Sequence, residues 1–172
     1  MAQSQHTLSM SRRILAVFCG GFLGTLARYF LSMVIQGWFG KGWPADILLI
    51  NLSGALLLAL VTILADATFL VGPTRRLLIN TGFMGAYTTF SSLALGDVLL
   101  FNQGQLLPAL LYLALSLLGG LCAILLGEWL GRLLINSLRG KTTLKQQELA
   151  GHIDVQDDLL LSDQVDEIEA AD

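Results

Sequence analysis

The residues with the most chemical potential in this chain lie together in one apolar stretch. It reads Gly82-Phe83-Met84-Gly85-Ala86-Tyr87-Thr88-Thr89-Phe90-Ser91-Ser92. Two glycines and a β-branched, hydroxyl-rich run each weaken a helix. A break here frees backbone carbonyls, which lipid cannot satisfy, so they must line a cavity or bind something. Carbonyls of an unwound helix are ligands for a small hard cation such as sodium. The hydroxyls of Thr89, Ser91 and Ser92 can donate to an anion. Phe90 can attract one more weakly through its ring edge, the positive part of the quadrupole. The same run also suits a kinked helix whose serines and threonines satisfy its own backbone.

Other polar groups interrupt other apolar stretches. Arg28 and Asn51 have no acidic partner at the same depth. An intramembrane side chain of this kind is costly, so it faces the protein interior or a water-filled path. A guanidinium and an amide donor without a deep carboxylate favour an anion over a cation. Tyr112 and Ser116 stand one helical turn apart and can continue a polar track along one face. Simpler roles remain open for each: snorkelling for Arg28, an interhelical hydrogen bond for Asn51, local back-bonding for Ser116 and an interfacial position for Tyr112.

These residues need a scaffold, and the composition predicts its solvent. Of 172 residues, 54% are apolar and 13% charged, about half the usual charged share. Mean hydropathy is +0.67. A membrane helix needs about 20 mostly apolar residues. Stretches 14–35, 47–65, 77–100 and 106–135 qualify, which predicts an all-α integral membrane protein with four spans. The first, long and carrying Arg28, does not read as a signal peptide. Trp38, Trp43 and Trp129 fall near predicted ends, where aromatic anchors belong. The short connections 37–44, 68–74 and 102–105 make neighbouring spans antiparallel. Gly20-x-x-x-Gly24 and Gly127-x-x-x-Gly131 let helix backbones approach closely.

Charge is segregated along the chain. Residues 1–141 carry nine Lys/Arg and four Asp/Glu, whereas 142–172 carry one Lys and nine Asp/Glu. The organisation expected is a polar N-terminus (1–11), a four-span membrane domain (12–139) and an acidic mobile tail (140–172), within which 153–161 has amphipathic character. With both termini inside, Arg12, Arg13, Arg75, Arg76, Arg132, Arg139, Lys141 and Lys145 lie on the cytoplasmic side and Lys41 opposite.

Several functions are disfavoured. His6 and His152 lie in the tails, which leaves the membrane body without a histidine for a metal or catalytic centre. No Ser or Cys has a base beside it in sequence, so an intramembrane enzyme is not expected. Cys19 and Cys122 are expected to be buried free thiols. The basic residues flank spans and form no continuous patch for nucleic acid. A non-transporting scaffold held by glycine packing leaves the weakened third span and Arg28 without a purpose. A small proton-coupled multidrug exporter also has four spans, but it needs a deep carboxylate. Asp97 and Glu128 lie towards span ends.

Three segments together resemble the Fluc (CrcB) fluoride channel family. They are Gly20-Gly21-Phe22-Leu23-Gly24-Thr25-Leu26-Ala27-Arg28-Tyr29, Asn51-Leu52-Ser53-Gly54, and the 82–92 stretch. The similarity covers about residues 12–132. The resemblance implies a passive fluoride channel in the bacterial inner membrane that lowers cytoplasmic fluoride. It implies an antiparallel dual-topology homodimer with a third helix broken at its centre. Given the strong charge bias, a heterodimer with an oppositely oriented homologue is an alternative. It implies a structural Na+ held by the carbonyls of Gly85 and Thr88. It implies a fluoride path along Asn51, Thr89, Phe90, Ser92, Tyr112 and Ser116, with Arg28 near the pore entrance. Leu93 stands where the family commonly has a second phenylalanine, and an aliphatic side chain has no polarised ring edge.

Overall fold

A computed structural model describes residues 9–40, 42–67 and 72–169, with side chains described to residue 137. Residues 1–8 of the polar N-terminus, Lys41, most of the 68–74 connection and the side chains of the acidic tail lie outside the described residues. The chain divides into two compact units, Met1–Arg132 and Leu133–Asp172. The second is helical through Glu169.

Four helices are long and apolar enough to cross a membrane: Met10–Phe39, Ala45–Ala67, Pro73–Asn102 and Leu106–Ser137. Each contains one of the predicted spans and extends it by two to four residues at most ends. This makes the chain a multi-pass membrane protein. Span one ends where Gly40 takes φ 76° and its N–H caps the Gln36 carbonyl. Span three begins on Pro73, whose fixed φ suits a first helical turn. Gly104, at φ 72°, turns the chain from span three into span four.

Outward faces are apolar almost everywhere. Phe18, Phe22, Leu107 and Leu118 are all exposed on the single chain. In water such a surface would be costly, whereas lipid replaces water at no such cost. The interior is correspondingly small. One buried cluster joins Leu48, Leu93, Leu100, Ala109 and Tyr112, and another joins Ile35, Ile50 and Tyr87.

The glycine pairs bring helices together. A Cβ on Gly20 would collide with the Leu78 carbonyl, and one on Gly24 with the Phe83 carbonyl. From the other side, a Cβ on Gly82 would sit 2.8 Å from the Val17 carbonyl oxygen. Spans one and three therefore meet backbone on backbone. Gly127 does the same for span four against the Leu56 carbonyl of span two. At the span-one seam, Leu77–Met84 winds as a π-helix, with bonds reaching one residue further than in an α-helix.

Two expectations change, and one contact was not foreseen. Both cysteines are free but exposed, because Cys19 and Cys122 fall on outward faces, where a thiol behaves as a small apolar group. Trp43 is not an outward anchor: its Nε1–H points to the Pro108 carbonyl at 3.5 Å, and its ring meets Tyr112 edge-on at 5.7 Å. Asp46, in the first turn of span two, is 5% exposed and accepts from Ser32 Oγ and Gln36 Nε2. A carboxylate thus ties spans one and two at one end of the bundle.

Candidate functional site

The site is built where span three leaves helical geometry. Gly85–Tyr87 ends the first half, and Phe90–Asn102 forms the second. Between them Thr88 is extended (φ −80°, ψ 153°), as is Thr89 (φ −150°, ψ 118°). The axis bends by only 11° across this point. The interruption is therefore local to the hydrogen-bond ladder.

Asn51 of span two meets the extended strand. Its Nδ2–H donates to the Thr89 carbonyl at 3.0 Å, and its Oδ1 accepts from the Thr89 N–H at 2.8 Å. The side-chain amide replaces a neighbouring β-strand for one residue. The other members of the Asn51-Leu52-Ser53-Gly54 motif complete the seat. Ser53 Oγ lies 2.9 Å from Tyr87 Oη, and the missing side chain of Gly54 admits Tyr87 and the Thr88 methyl. Thr89 then caps the second half-helix, its Oγ1 accepting from the Ser92 N–H at 3.2 Å. The hydroxyls of Ser91 and Ser92 lie 3.1 Å from the same oxygen.

This arrangement leaves carbonyls over. In a continuous helix the Thr89 N–H would reach the Gly85 carbonyl and the Ser92 N–H the Thr88 carbonyl. The first goes to Asn51 and the second to Thr89 Oγ1. Among the described residues, no backbone N–H crosses the interruption to the carbonyls of Gly85 or Thr88. A Cβ placed on Gly85 would meet nothing within 4 Å, so the position beside it is open. Two carbonyl oxygens, hard donors in the chemical sense, are thereby left without a helical partner.

A cleft of about 560 Å³ opens on the interruption between spans two, three and four. Asn51, Thr88, Thr89, Phe90, Leu93 and Ser116 line it, and Thr62 and Glu128 lie along the same wall. Its lining is mostly apolar, with neutral donors at one place. Asn51 keeps one amide N–H beyond the bond to Thr89. Ser116 Oγ is buried and has no hydrogen-bond partner among the described residues. Phe90 is 75% exposed, its ring projecting beyond the single chain.

Not every predicted residue joins this cleft. Ser92 lines a second cavity of about 360 Å³, together with Asp46, Trp43 and Gln36. The Thr89–Ser92 cap stands between the two cavities. Tyr112 is fully buried, and its hydroxyl also lacks a partner among the described residues. Arg28 lines neither cavity and makes no ion pair among the described residues. Sequence reasoning passed over Asp46 and Thr62. The only signal for Asp46 was a carboxylate placed directly after Pro44-Ala45 at a span's start.

Comparisons with known proteins fit this arrangement. Residues 15–128 match the family described as CrcB-like protein, Camphor Resistance (CrcB). The protein named "Fluoride-specific ion channel FluC" from Chlorobaculum tepidum is 38% identical over 122 residues, covering 71% of this chain and 96% of that protein. The Synechocystis protein of the same name is 42% identical over 121 residues, covering 70% of this chain and 93% of its own. For the one from Methylococcus capsulatus, 37% identity covers 72% of this chain but only 54% of a longer relative. The shared region holds the interruption, its Asn51 seat and the glycine seam, and the chain belongs to the CrcB family.

Proposed function

We propose that the protein is a fluoride-selective ion channel that lets fluoride leave the cytoplasm passively and so reduces its toxicity. The observation that carries this reading is the cleft at the interruption. There, neutral N–H and O–H donors and an aromatic ring converge, with no enzyme-like acid–base pair. Fluoride is small and strongly hydrated, so a path for it must replace water with several donors. Asn51, Thr89 and Ser116 supply them in the cleft, Ser92 and Tyr112 would extend the path beyond it, and the Phe90 ring edge adds a weaker attraction. The unpartnered hydroxyls of Tyr112 and Ser116 support this role, since a buried donor without an acceptor costs about 1–3 kcal/mol unless something visits it. Arg28 would act near the pore entrance, where its charge attracts anions.

The interruption is read as the family's broken third helix. Gly85 and Thr88 would hold a structural Na+ through their carbonyls, which supplies fixed positive charge and ties the backbone at this point. The working unit is an antiparallel homodimer, or a heterodimer with an oppositely oriented homologue. The exposed Phe90 supports a partner that completes the path.

Purified protein in sealed liposomes tests the reading. Fluoride is expected to leave down its gradient once charge is balanced, and chloride is expected to stay. Retention of fluoride by tight vesicles would refute it. Replacing sodium by a bulky organic cation is expected to reduce fluoride efflux and weaken the dimer.

A further inference from the structure

The described lining of the large cleft carries one formal charge, and its sign is wrong for an anion path. Glu128 lines the cleft, while the other polar groups there are neutral. Arg132, one turn later on the same helix, contacts the carboxylate through two nitrogens, Nε at 3.2 Å and Nη2 at 2.5 Å from Oε1. The guanidinium side chain is 69% exposed and that of Glu128 is 37% exposed. Arg132 is thus exposed on the single chain with N–H groups to spare, and Glu128 lies on the cleft side.

We propose that Arg132 is the anion-collecting group at the mouth of the cleft and that Glu128 holds it there. The inference rests on the cleft being the fluoride path. An unpaired carboxylate at this position would repel fluoride, and the paired guanidinium cancels that repulsion. Its remaining N–H groups raise the local anion concentration at the mouth. The carboxylate thus moderates the capture that the guanidinium provides, and removing it leaves the mouth more attractive to anions.

Fluoride efflux from liposomes holding the full chain tests this at about 10 mM and about 1 M of an impermeant salt, where the Debye length falls from about 30 Å to about 3 Å. At low salt, Arg132→Gln is expected to slow efflux about two- to fourfold and Glu128→Gln to speed it by a similar factor, the size expected for one charge a few ångströms from the ion in a water-like medium. Both differences are expected to vanish at high salt. Rates that stay at the wild-type value, move in the same direction in both variants, or change equally at both salt concentrations would overturn the proposal. Wild-type protein and Phe90→Ile run alongside. If the wild type carries no fluoride, the function itself fails. If the wild type conducts, Phe90→Ile does not, and both charge variants are silent, only the role of Arg132 fails.

Discussion

Span three is held on its two sides by different means. Against span one the contact is backbone on backbone at Gly20, Gly24 and Gly82, where an added Cβ would meet the facing chain. Against span two it is polar, with Asn51 bonded both ways to the Thr89 peptide and Ser53 to Tyr87. The first seam offers tight packing and nothing for a ligand. The second satisfies an extended peptide and still leaves donors and carbonyls unoccupied. A helix can therefore be tightly seated along its first half while its hydrogen-bond ladder opens further along, with a bend of only 11°.

The largest expected effect comes from breaking the polar side. Asn51→Ala would strand both the N–H and the carbonyl of Thr89, at a cost of about 2–6 kcal/mol from about 1–3 for each group. Fluoride efflux should be abolished and the unfolding midpoint in detergent should drop by several degrees. Breaking the packed side is expected to cost less. Gly24→Ala places a methyl against the Phe83 carbonyl, an overpacking penalty of about 1–3 kcal/mol. Thermal unfolding should report it, with slowed but measurable efflux from the folded fraction.

The smallest stability effects sharpen the contrast. Ser116→Ala and Tyr112→Phe each remove a buried hydroxyl that has no partner among the described residues. Stability should change by no more than about 1 kcal/mol and should not fall, because an unsatisfied group is relieved. Efflux should nevertheless slow, since a donor is lost from the path. A fall in stability with normal efflux would assign both hydroxyls to packing.

Much of this was legible in the sequence for definite reasons. The four spans follow from hydropathy alone, because lipid imposes a length and a composition. At Thr88–Thr89, where the sequence places β-branched and hydroxyl-bearing residues, the backbone is extended, although the helix bends by only 11°. The glycine pairs predicted close approach, and Gly20 and Gly127 do touch neighbouring backbones. Other features depend on partners distant in sequence. Asn51 showed as a buried amide, but its pairing with Thr89 joins residues 38 apart. Trp43 had the position of a membrane anchor, yet it turns inward to Tyr112 and Pro108. Asp46 had no visible partner because Ser32 and Gln36 lie on another helix. Cys19 and Cys122 defeat the rule that thiols are buried, which is drawn from proteins in water. The π-helical turn at Leu77–Met84 has no composition signal and accompanies the glycine seam.

Phe90 separates packing from passage most directly, because it is 75% exposed on the single chain and packs little within it. Phe90→Ile removes the ring edge and keeps an apolar side chain of similar bulk. The decisive measurement is fluoride efflux from liposomes containing this variant beside the wild type, with both proteins monodisperse in detergent. The account predicts rapid efflux from the wild type and none above background from Phe90→Ile. Equal efflux from both would contradict a fluoride path through the cleft at the interruption.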